Sequence, residues 1–558
     1  MNSGSPEVFA SNMDAVRARD PGLARELLMS EPDPRIGLAR ARTGALVPVV
    51  HQQKGDAPLH SLYDPEEEAR RVAGSLPPNG CVVIFGLGSG QIITSILRRP
   101  DVSRLFVIEK DLPVIRSLLQ NFPMEALLRD PRVTLIAGYE TIQARLISGW
   151  LPGLMGNLRT VPLRSWCDIE GLFFRQAADE VQKSIEAVRA DYGVQAHFGK
   201  RWLTNMLFNL ASMGHSHAQV PEVQSACVTA AGPSLEKSLP TIAAQQRASF
   251  IIATDTSLPT LLAAGIAPGA VVSIDCQNHS YHHFMHGLPE STLLVLDAAS
   301  PPLLARLHRR VAFAASGHPL VSWLCARGLG LPRLDMSGGN VTHAAVSLAH
   351  SLGARQIFLF GADYSCPDGK MYARGTYLYD FFACRQDRLS PEESLFAALL
   401  HAAGGRRSVT ETGSLYTTPV MSAYRDSLIE MMRALDADVT PAAGRGLPLP
   451  STRHAPAADS STPRRDPRWD PAEVEVKGLL SRYMRDLESL GEISSIPGHW
   501  PSSLPEGSMA LVQTLLPVAA CIRRAGVETD DRGALEEARH WTLGRIKRML
   551  PVIPASHV

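Results

Sequence analysis

Short apolar runs that end in polar or glycine-bearing turns and lead into amphipathic stretches recur along most of this chain. They predict strands alternating with helices. Cys81 to Phe85 is such a run, followed by the turn Gly86-Leu87-Gly88-Ser89-Gly90 and a helical pattern. Arg104 to Lys110, carrying Glu109, and Arg132 to Gly138 repeat the layout. The first ~60 residues read as helix and then loop. Upstream of the first strand, His60-Ser61-Leu62-Tyr63-Asp64-Pro65 opens an amphipathic helix with Pro and acidic residues in its first turn. Phe173 to Met213 is helical and lacks Pro.

A second series begins at Ala226. Its strands are predicted around Ala226–Ala231, Ser249–Asp255, Ala270–Asp275, Leu293–Asp297, Arg310–Ser316 and Gln356–Asp363, with helices between them. Thr440 to Pro471 is rich in Pro, Ser, Ala and charge, has no apolar period and reads as a linker. Beyond it the pattern is helical and suits a small bundle. The expected class is therefore multidomain α/β. Residues 1–185 hold a Rossmann-like domain, 186–440 a central Rossmann-like catalytic domain, 441–470 a linker and 471–558 a helical domain.

Length and charge agree. A chain of 558 residues exceeds one core, at roughly 100–200 residues per domain. Lys plus Arg equals Asp plus Glu at 55 each, so no basic surplus points to nucleic acid. Eight scattered cysteines without a CxxC pair argue against zinc. No basic-then-apolar leader begins the sequence, and no run approaches the ~18 apolar residues of a membrane span. A cytoplasmic protein with reduced thiols is expected.

Two sets of residues suggest chemistry. The Gly86–Gly90 turn with Glu109 has the outline of an S-adenosylmethionine site, in which the acid would hold ribose hydroxyls. Yet Tyr139 stands where an adenine-binding acid would be useful, and no Asn/Asp-Pro-Pro-Tyr loop follows. A Rossmann-like domain without a cofactor is the favoured expectation. In the second series, Gly232-Pro233-Ser234 sits at a strand-to-helix junction, where helix-start amides favour an anion. Thr254 and Asp255 end the next strand, although they also suit a plain helix cap. Asp275 ends the third. Ser337-Gly338-Gly339-Asn340 precedes a helix as a further amide-lined turn. Asp363 and Tyr364 close the last strand. Polar residues gathered at the carboxyl ends of parallel strands fit a nucleotide crevice better than a bare scaffold.

The GPSL turn, the TDTS strand end, GIAPGAVVSID, SGGNVTHAA and FGADYS occur in the order found in the motility-accessory-factor (Maf) family of flagellin glycosyltransferases, which this chain resembles over residues 55 to 435. Thr417-Thr418, HSLYDP and GLGSG match that pattern too. The family's core is similar to bacterial sialyltransferases that use CMP-activated sugars. The resemblance implies transfer of a nonulosonic acid, of pseudaminic or legionaminic type, from its CMP donor to Ser or Thr of flagellin. No further cofactor or metal is implied. It puts Gly232, Pro233, Ser234, Thr254, Asp255, Ser337, Gly338, Gly339 and Asn340 on the donor, with Tyr364 and Tyr372 able to donate to the leaving phosphate. Ala231 departs from the Gly-Asn-Gly of the sialyltransferases. A monophosphate leaving group needs little metal help, and Asp436-Ala437-Asp438 reads as a solvated pair. Asp275 and Asp363 are the candidate general bases. His279, His282, His283 and His318 read first as surface or packing histidines. Arg374 could pair with the donor carboxylate, although a solvated arginine is its ordinary role. Alternatives are a pterin pyrophosphokinase on the same core, a methyltransferase acting through the GLGSG turn, and a flagellin-binding chaperone whose helical C-terminal region grips the partner.

Overall fold

The computed structural model describes residues 6–53, 55–78, 80–213, 218–336, 339–410, 413–453, 465–469, 475–490, 493, 506–526 and 531–553. It is a multidomain α/β protein with two compact units. One holds residues 1–199 and 490–540, and the other holds 200–489 and 541–558.

In the first unit, helices Pro6–Arg19 and Pro21–Met29 precede an antiparallel sheet of β1 (Ile36–Arg40), β2 (Leu46–Gln52) and β3 (Gly55–Pro58). The loop expected here is a meander. Its middle strand is buried from Val47 to Val50, and that uninterrupted apolar run hides the period-two pattern. The GLGSG turn follows β4 (Gly80–Phe85), which lies in a parallel sheet with β5 (Val102–Glu109), β6 (Val133–Ala137) and β7 (Asn157–Pro162), ordered β6-β5-β4-β7.

The second unit is built on β8 (Ser225–Thr229), β9 (Phe250–Thr254), β10 (Ala270–Ser273), β11 (Leu293–Asp297), β12 (Val311–Ala314) and β13 (Gln356–Phe360). After β13 the chain forms a small antiparallel sheet of β14 (Cys366–Pro367), β15 (Arg406–Thr410) and β16 (Gly413–Thr417). It returns to the main sheet as β17 (Asp438–Pro441). The main sheet is parallel throughout, in the order β12-β11-β10-β9-β8-β13-β17. Its strands are apolar on both faces because both are covered. Ala226 and Val228 join one apolar cluster, while Cys227 between them joins the other. Helix Val341–Ser351 belongs to the first cluster and is buried almost all round, which explains Ala344, Ala345 and Ala349 on it. Each fully buried Leu or Ile here contributes about 1.5–3 kcal/mol.

Three expected boundaries change. The cut at 185/186 falls inside one helix, Gly171–Met213. The helical segment 471–558 does not form a unit of its own. Helix Val476–Ser489 buries Val476, Leu480, Tyr483 and Leu487 and packs Tyr483 at a tilt against Trp323 of the second unit, whereas Leu516–Arg524 packs on Pro152–Met155 of the first. β17 runs into the expected linker as far as Pro441, and a few of the linker's described residues pack. Leu447 and Leu449 lie against the apolar cluster, and buried Trp469 donates to Ser351 Oγ at 2.8 Å. Low apolar periodicity does not mean a free segment when isolated anchors are spaced this widely. Among the described residues, no helix is long and apolar enough to cross a membrane.

Candidate functional site

The strand order fixes where a ligand crevice belongs. From β8 the sheet grows one way through β9 to β12 and the other way through β13 to β17, so the direction reverses between β8 and β13. The carboxyl ends of the two strands at such a switch point diverge and leave a crevice. The chain places Gly232-Pro233-Ser234 after β8 and Gly361-Ala362-Asp363-Tyr364 after β13, so the two segments face each other there.

They are locked together. Gly232 N–H donates to Gly361 O at 2.8 Å, and Ser234 N–H donates to Asp363 Oδ2 at 2.8 Å. A Cβ on residue 232 would stand 2.4 Å from Asp363 Oδ2 and 2.5 Å from Gly361 O, so this position requires glycine for close approach. Burial pushes the Asp363 carboxyl above its usual range, and the Ser234 and Gly446 amides partly oppose that. Leu447 N–H donates to Asp363 O at 2.9 Å. The loop after β17, expected as linker, thus covers Asp363. Asp363 is 4% exposed, whereas Gly232, Pro233 and Ser234 stay half-exposed. Tyr364 follows with φ 47, a left-handed conformation rare outside glycine and found where structure over-determines the backbone. Its hydroxyl is buried and its pKa raised.

The segment after β14 folds back over the same turn. Ala373 N–H donates to Ala231 O at 2.9 Å, Thr260 Oγ1 donates to Arg374 O at 2.8 Å, and Tyr379 Oη donates to Tyr372 O at 3.0 Å. Glu236, which the sequence did not single out, pins this segment by pairing with Lys370 Nζ at 2.6 Å and accepting Arg374 N–H. A carboxylate two residues past Ser234 on a helix start was the available signal. Desolvation raises the Tyr372 phenol, with Tyr377 and Cys366 adding to it.

Further along the edge, Asp255 is buried and engaged. It accepts Ser273 Oγ at 2.7 Å and Thr256 N–H at 2.7 Å, and Thr254 caps the turn through Ser257 N–H at 3.3 Å. Asp275 is half-exposed. It accepts Gln277 N–H at 2.9 Å and lies 3.6 Å from His279 Nε2. Tyr377 connects these groups. Burial and then the charges of Asp255 and Asp275 raise its phenol, and its ring stacks on His282 and meets His283 edge-on. His318 is elsewhere in function. It caps its helix by accepting Leu320 N–H at 3.2 Å, packs on Trp202, and burial lowers its pKa to about 3. The β10 and β11 ends are roofed by Asn205 and Asn209, whose amides donate to the carbonyls of Cys276, Ala298, Ala299 and Ser300. Beneath that roof Asp297 is pushed up to about 6 by burial.

Of the second helix-start turn, Gly339 lies against Tyr424 and Asn340 caps helix Val341–Ser351 through Thr342 N–H at 2.7 Å. Ser337 and Gly338 lie outside the described residues. Asp436 pairs with Arg355 at the far side of β17. Among the described residues there is no group of three or more potential metal ligands.

The turn in the first unit is filled by the protein itself. Glu109 is 0% exposed. Its carboxylate accepts Leu87 N–H at 2.8 Å, Lys110 N–H at 2.7 Å and Trp166 Nε1–H at 2.6 Å. His60 Nε2 accepts Ser89 N–H at 3.0 Å and occupies the space that a Cβ on Gly88 would need. The whole of Gly86–Gly90 is buried.

Comparison with known proteins gives three findings. A family profile described as 6-hydroxymethylpterin diphosphokinase MptE-like matches residues 200–369, the span from the end of the long helix to just past Asp363. Two uncharacterized proteins of Treponema pallidum (strain Nichols) are 33% identical over 147 residues and 32% identical over 135 residues. These matches cover 26% and 24% of this chain, and this chain spans 52% and 64% of the length of those relatives. A solved structure of MAf glycosyltransferase from Magnetospirillum magneticum AMB-1 aligns with TM-score 0.54 at 16% identity, covering 98% of this chain and 95% of that one. The chain therefore shares its fold with that protein nearly end to end.

Proposed function

We propose that this chain is a glycosyltransferase that moves a nonulosonic acid, of pseudaminic or legionaminic type, from its CMP donor to Ser or Thr hydroxyls of flagellin, in support of flagellar assembly and motility. One observation carries the nucleotide site: the half-exposed Gly232–Ser234 turn, locked to Asp363 at the switch point of a parallel sheet. Similarity of fold to the Magnetospirillum protein, together with the motif order, favours a glycosyl donor over other nucleotides.

The half-exposed Gly232–Ser234 turn and the Gly339–Asn340 segment line the phosphate, close enough for its approach because Gly232 has no side chain, with Ser337 and Gly338 assigned to the same role by resemblance. Tyr372 is assigned to the leaving phosphate by resemblance, buried Tyr364 supports the turn from within the core, and Thr254 and Asp255 shape the floor. Asp363 acts as a positioning residue, since its bonds hold the turn and the loop after β17. The acceptor oxygen attacks the anomeric carbon, and the bond from that carbon to the phosphate oxygen breaks. CMP then leaves with the electron pair. The acceptor proton passes to Asp275, the half-exposed one of the two candidate carboxylates, with His279 Nε2 3.6 Å away from it. No divalent metal is required by this scheme.

The test is calorimetry with CMP in the absence of metal, coupled to the intact mass of flagellin co-expressed in a strain that makes CMP-nonulosonates. CMP binding and a mass gain of one nonulosonate per site are expected. Asp275→Asn should lower kcat by about 10²–10⁴ while CMP affinity holds. The family match over residues 200–369 supports a second reading, pyrophosphoryl transfer from ATP to a pterin. Magnesium-dependent ATP binding with turnover of a hydroxymethylpterin, and silence toward CMP, would replace the first reading with that one.

A further inference from the structure

The outermost strand of the small sheet, β15, is an exposed edge. All five of its residues, Arg406-Arg407-Ser408-Val409-Thr410, are exposed, and Val409 is 78% exposed. Among the described residues it pairs only with β16, so alternate residues turn their N–H and C=O groups outward with no described strand beyond them. Native edges are usually shortened, charged, twisted or covered against further pairing; this one is short and carries Arg406 and Arg407, which repel a second copy of itself while leaving the outward backbone groups open to a chain of opposite charge.

Its register ties it to the candidate site. Arg407 pairs with Tyr416, and Tyr416 pairs in turn with Cys366, two residues past Tyr364. At ~4.8 Å per strand the rim lies roughly 10 Å from the chain that leaves the switch point. The end of β15 level with that exit carries two adjacent arginines, Arg406 and Arg407, both exposed. Arg407 is held in place by Ser414 Oγ at 2.8 Å. Backbone groups in a row, one apolar side chain and a positive end fit an extended chain with acidic side chains.

We infer that β15 is the docking edge for the acceptor, which adds an extended, acidic, hydroxyl-bearing segment as a further strand and so presents its Ser or Thr toward the donor. The meaning of this edge rests on the glycosyl-transfer proposal, but its test does not. Fluorescence anisotropy would be measured on the full chain with a labelled peptide of alternating Val, Ser and Asp. The same preparations would be titrated with CMP.

The peptide should bind, and N-methylation of its alternate amides should weaken it about tenfold or more, because that removes the ladder bonds. The double variant R406E/R407E should lose a similar factor, and R406K/R407K should stay within about twofold of the parent. Failure to bind, or equal binding of the N-methylated peptide, would overturn the strand-addition edge. Self-association that R406E/R407E breaks would also overturn it, by giving the edge to a second copy. Loss of peptide binding with CMP binding intact leaves the donor site standing. The reverse pattern removes the donor proposal and leaves the docking edge.

Discussion

The turn after β4 and the turn after β8 start from the same ingredients: a buried parallel strand, a glycine-bearing corner, a helix, and a carboxylate at the end of a neighbouring strand. Their carboxylates are used differently. Glu109 receives two amides and an indole N–H, and His60 takes the space over Gly88 and the Ser89 amide, so the acid and the turn are occupied by the protein itself. Asp363 is also buried, yet it is tied to the back of its turn, and Gly232 to Ser234 remain half-exposed on the other side. A glycine-rich signature is therefore poor evidence of a ligand by itself. What distinguishes the two is which side of the turn the protein fills.

The sharpest way to break this contrast is to add one methyl group to each turn. Gly232→Ala drives a Cβ against a backbone carbonyl, which cannot swing away. We expect CMP affinity to fall at least about a hundredfold by calorimetry, as the turn is pushed away from Gly361 and Asp363 and into the crevice. In Gly88→Ala the Cβ meets the His60 ring, in a backbone at φ 55. That should cost about 1–3 kcal/mol in chemical denaturation and leave CMP affinity unchanged. Equal losses of CMP binding in both would erase the distinction.

Buried titratable groups sharpen it through pH. Asp297 is raised to about 6, so its contribution is full below the unfolded value of 3.8 and is lost as pH rises through 6. His318, lowered to about 3, works in the opposite sense. Its contribution is present above 6.5 and is lost as pH falls toward 3. Asp297→Asn should stabilise the protein at pH ~7.5 by up to about 3 kcal/mol, at 1.4 kcal/mol per pKa unit, and flatten stability between pH ~4 and ~6. Destabilisation of that variant at pH ~7.5 would mean that the ionised carboxylate makes favourable contacts under its roof.

Next in size are the two acids themselves. Asp363→Asn puts an amide where one oxygen accepted a backbone N–H, and CMP affinity should fall about tenfold with the fold intact. Glu109→Gln should cost about 1–2 kcal/mol of stability and nothing in CMP binding. Burial raises the Glu109 pKa, so the loss should be larger at low pH, where the protonated acid is favoured, and shrink as pH rises.

The strand ends were legible because buried parallel strands leave uninterrupted apolar runs, and the residues just after each run must lie at one sheet edge. Hence Gly232, Asp255, Asp275 and Asp363 could be placed on that edge from the sequence. Whether the edge is open could not be read. The roof of Asn205 and Asn209 over Asp297 comes from a helix some 90 residues earlier in the chain. The cover over Asp363 comes from Gly446 and Leu447, in a segment whose composition resembles a linker. The plug at Gly88 comes from His60. Each of these is a contact between distant residues with no local period to announce it. The small sheet was missed for a related reason: β15 has no buried residue and therefore no apolar alternation.

The smallest expected effect tests the plug directly. His60→Ala removes the ring over Gly88 and leaves Ser89 N–H to water, at a cost of about 1 kcal/mol. If His60 alone kept the turn from acting as a cofactor site, the variant would bind S-adenosylmethionine. We expect no such binding in calorimetry, for either the variant or the parent protein. The acid that would hold the ribose remains committed to Trp166, Leu87 and Lys110, and a new ligand would have to break those bonds inside a fully buried pocket. The two-layer block predicts that His60→Ala combined with Trp166→Phe removes one of the three donors to Glu109 and still leaves one backbone amide on each of its oxygens. Binding of S-adenosylmethionine by the single variant would show that one side chain separates a sealed turn from a working one. The difference between the two units would then be one of occupancy rather than of architecture.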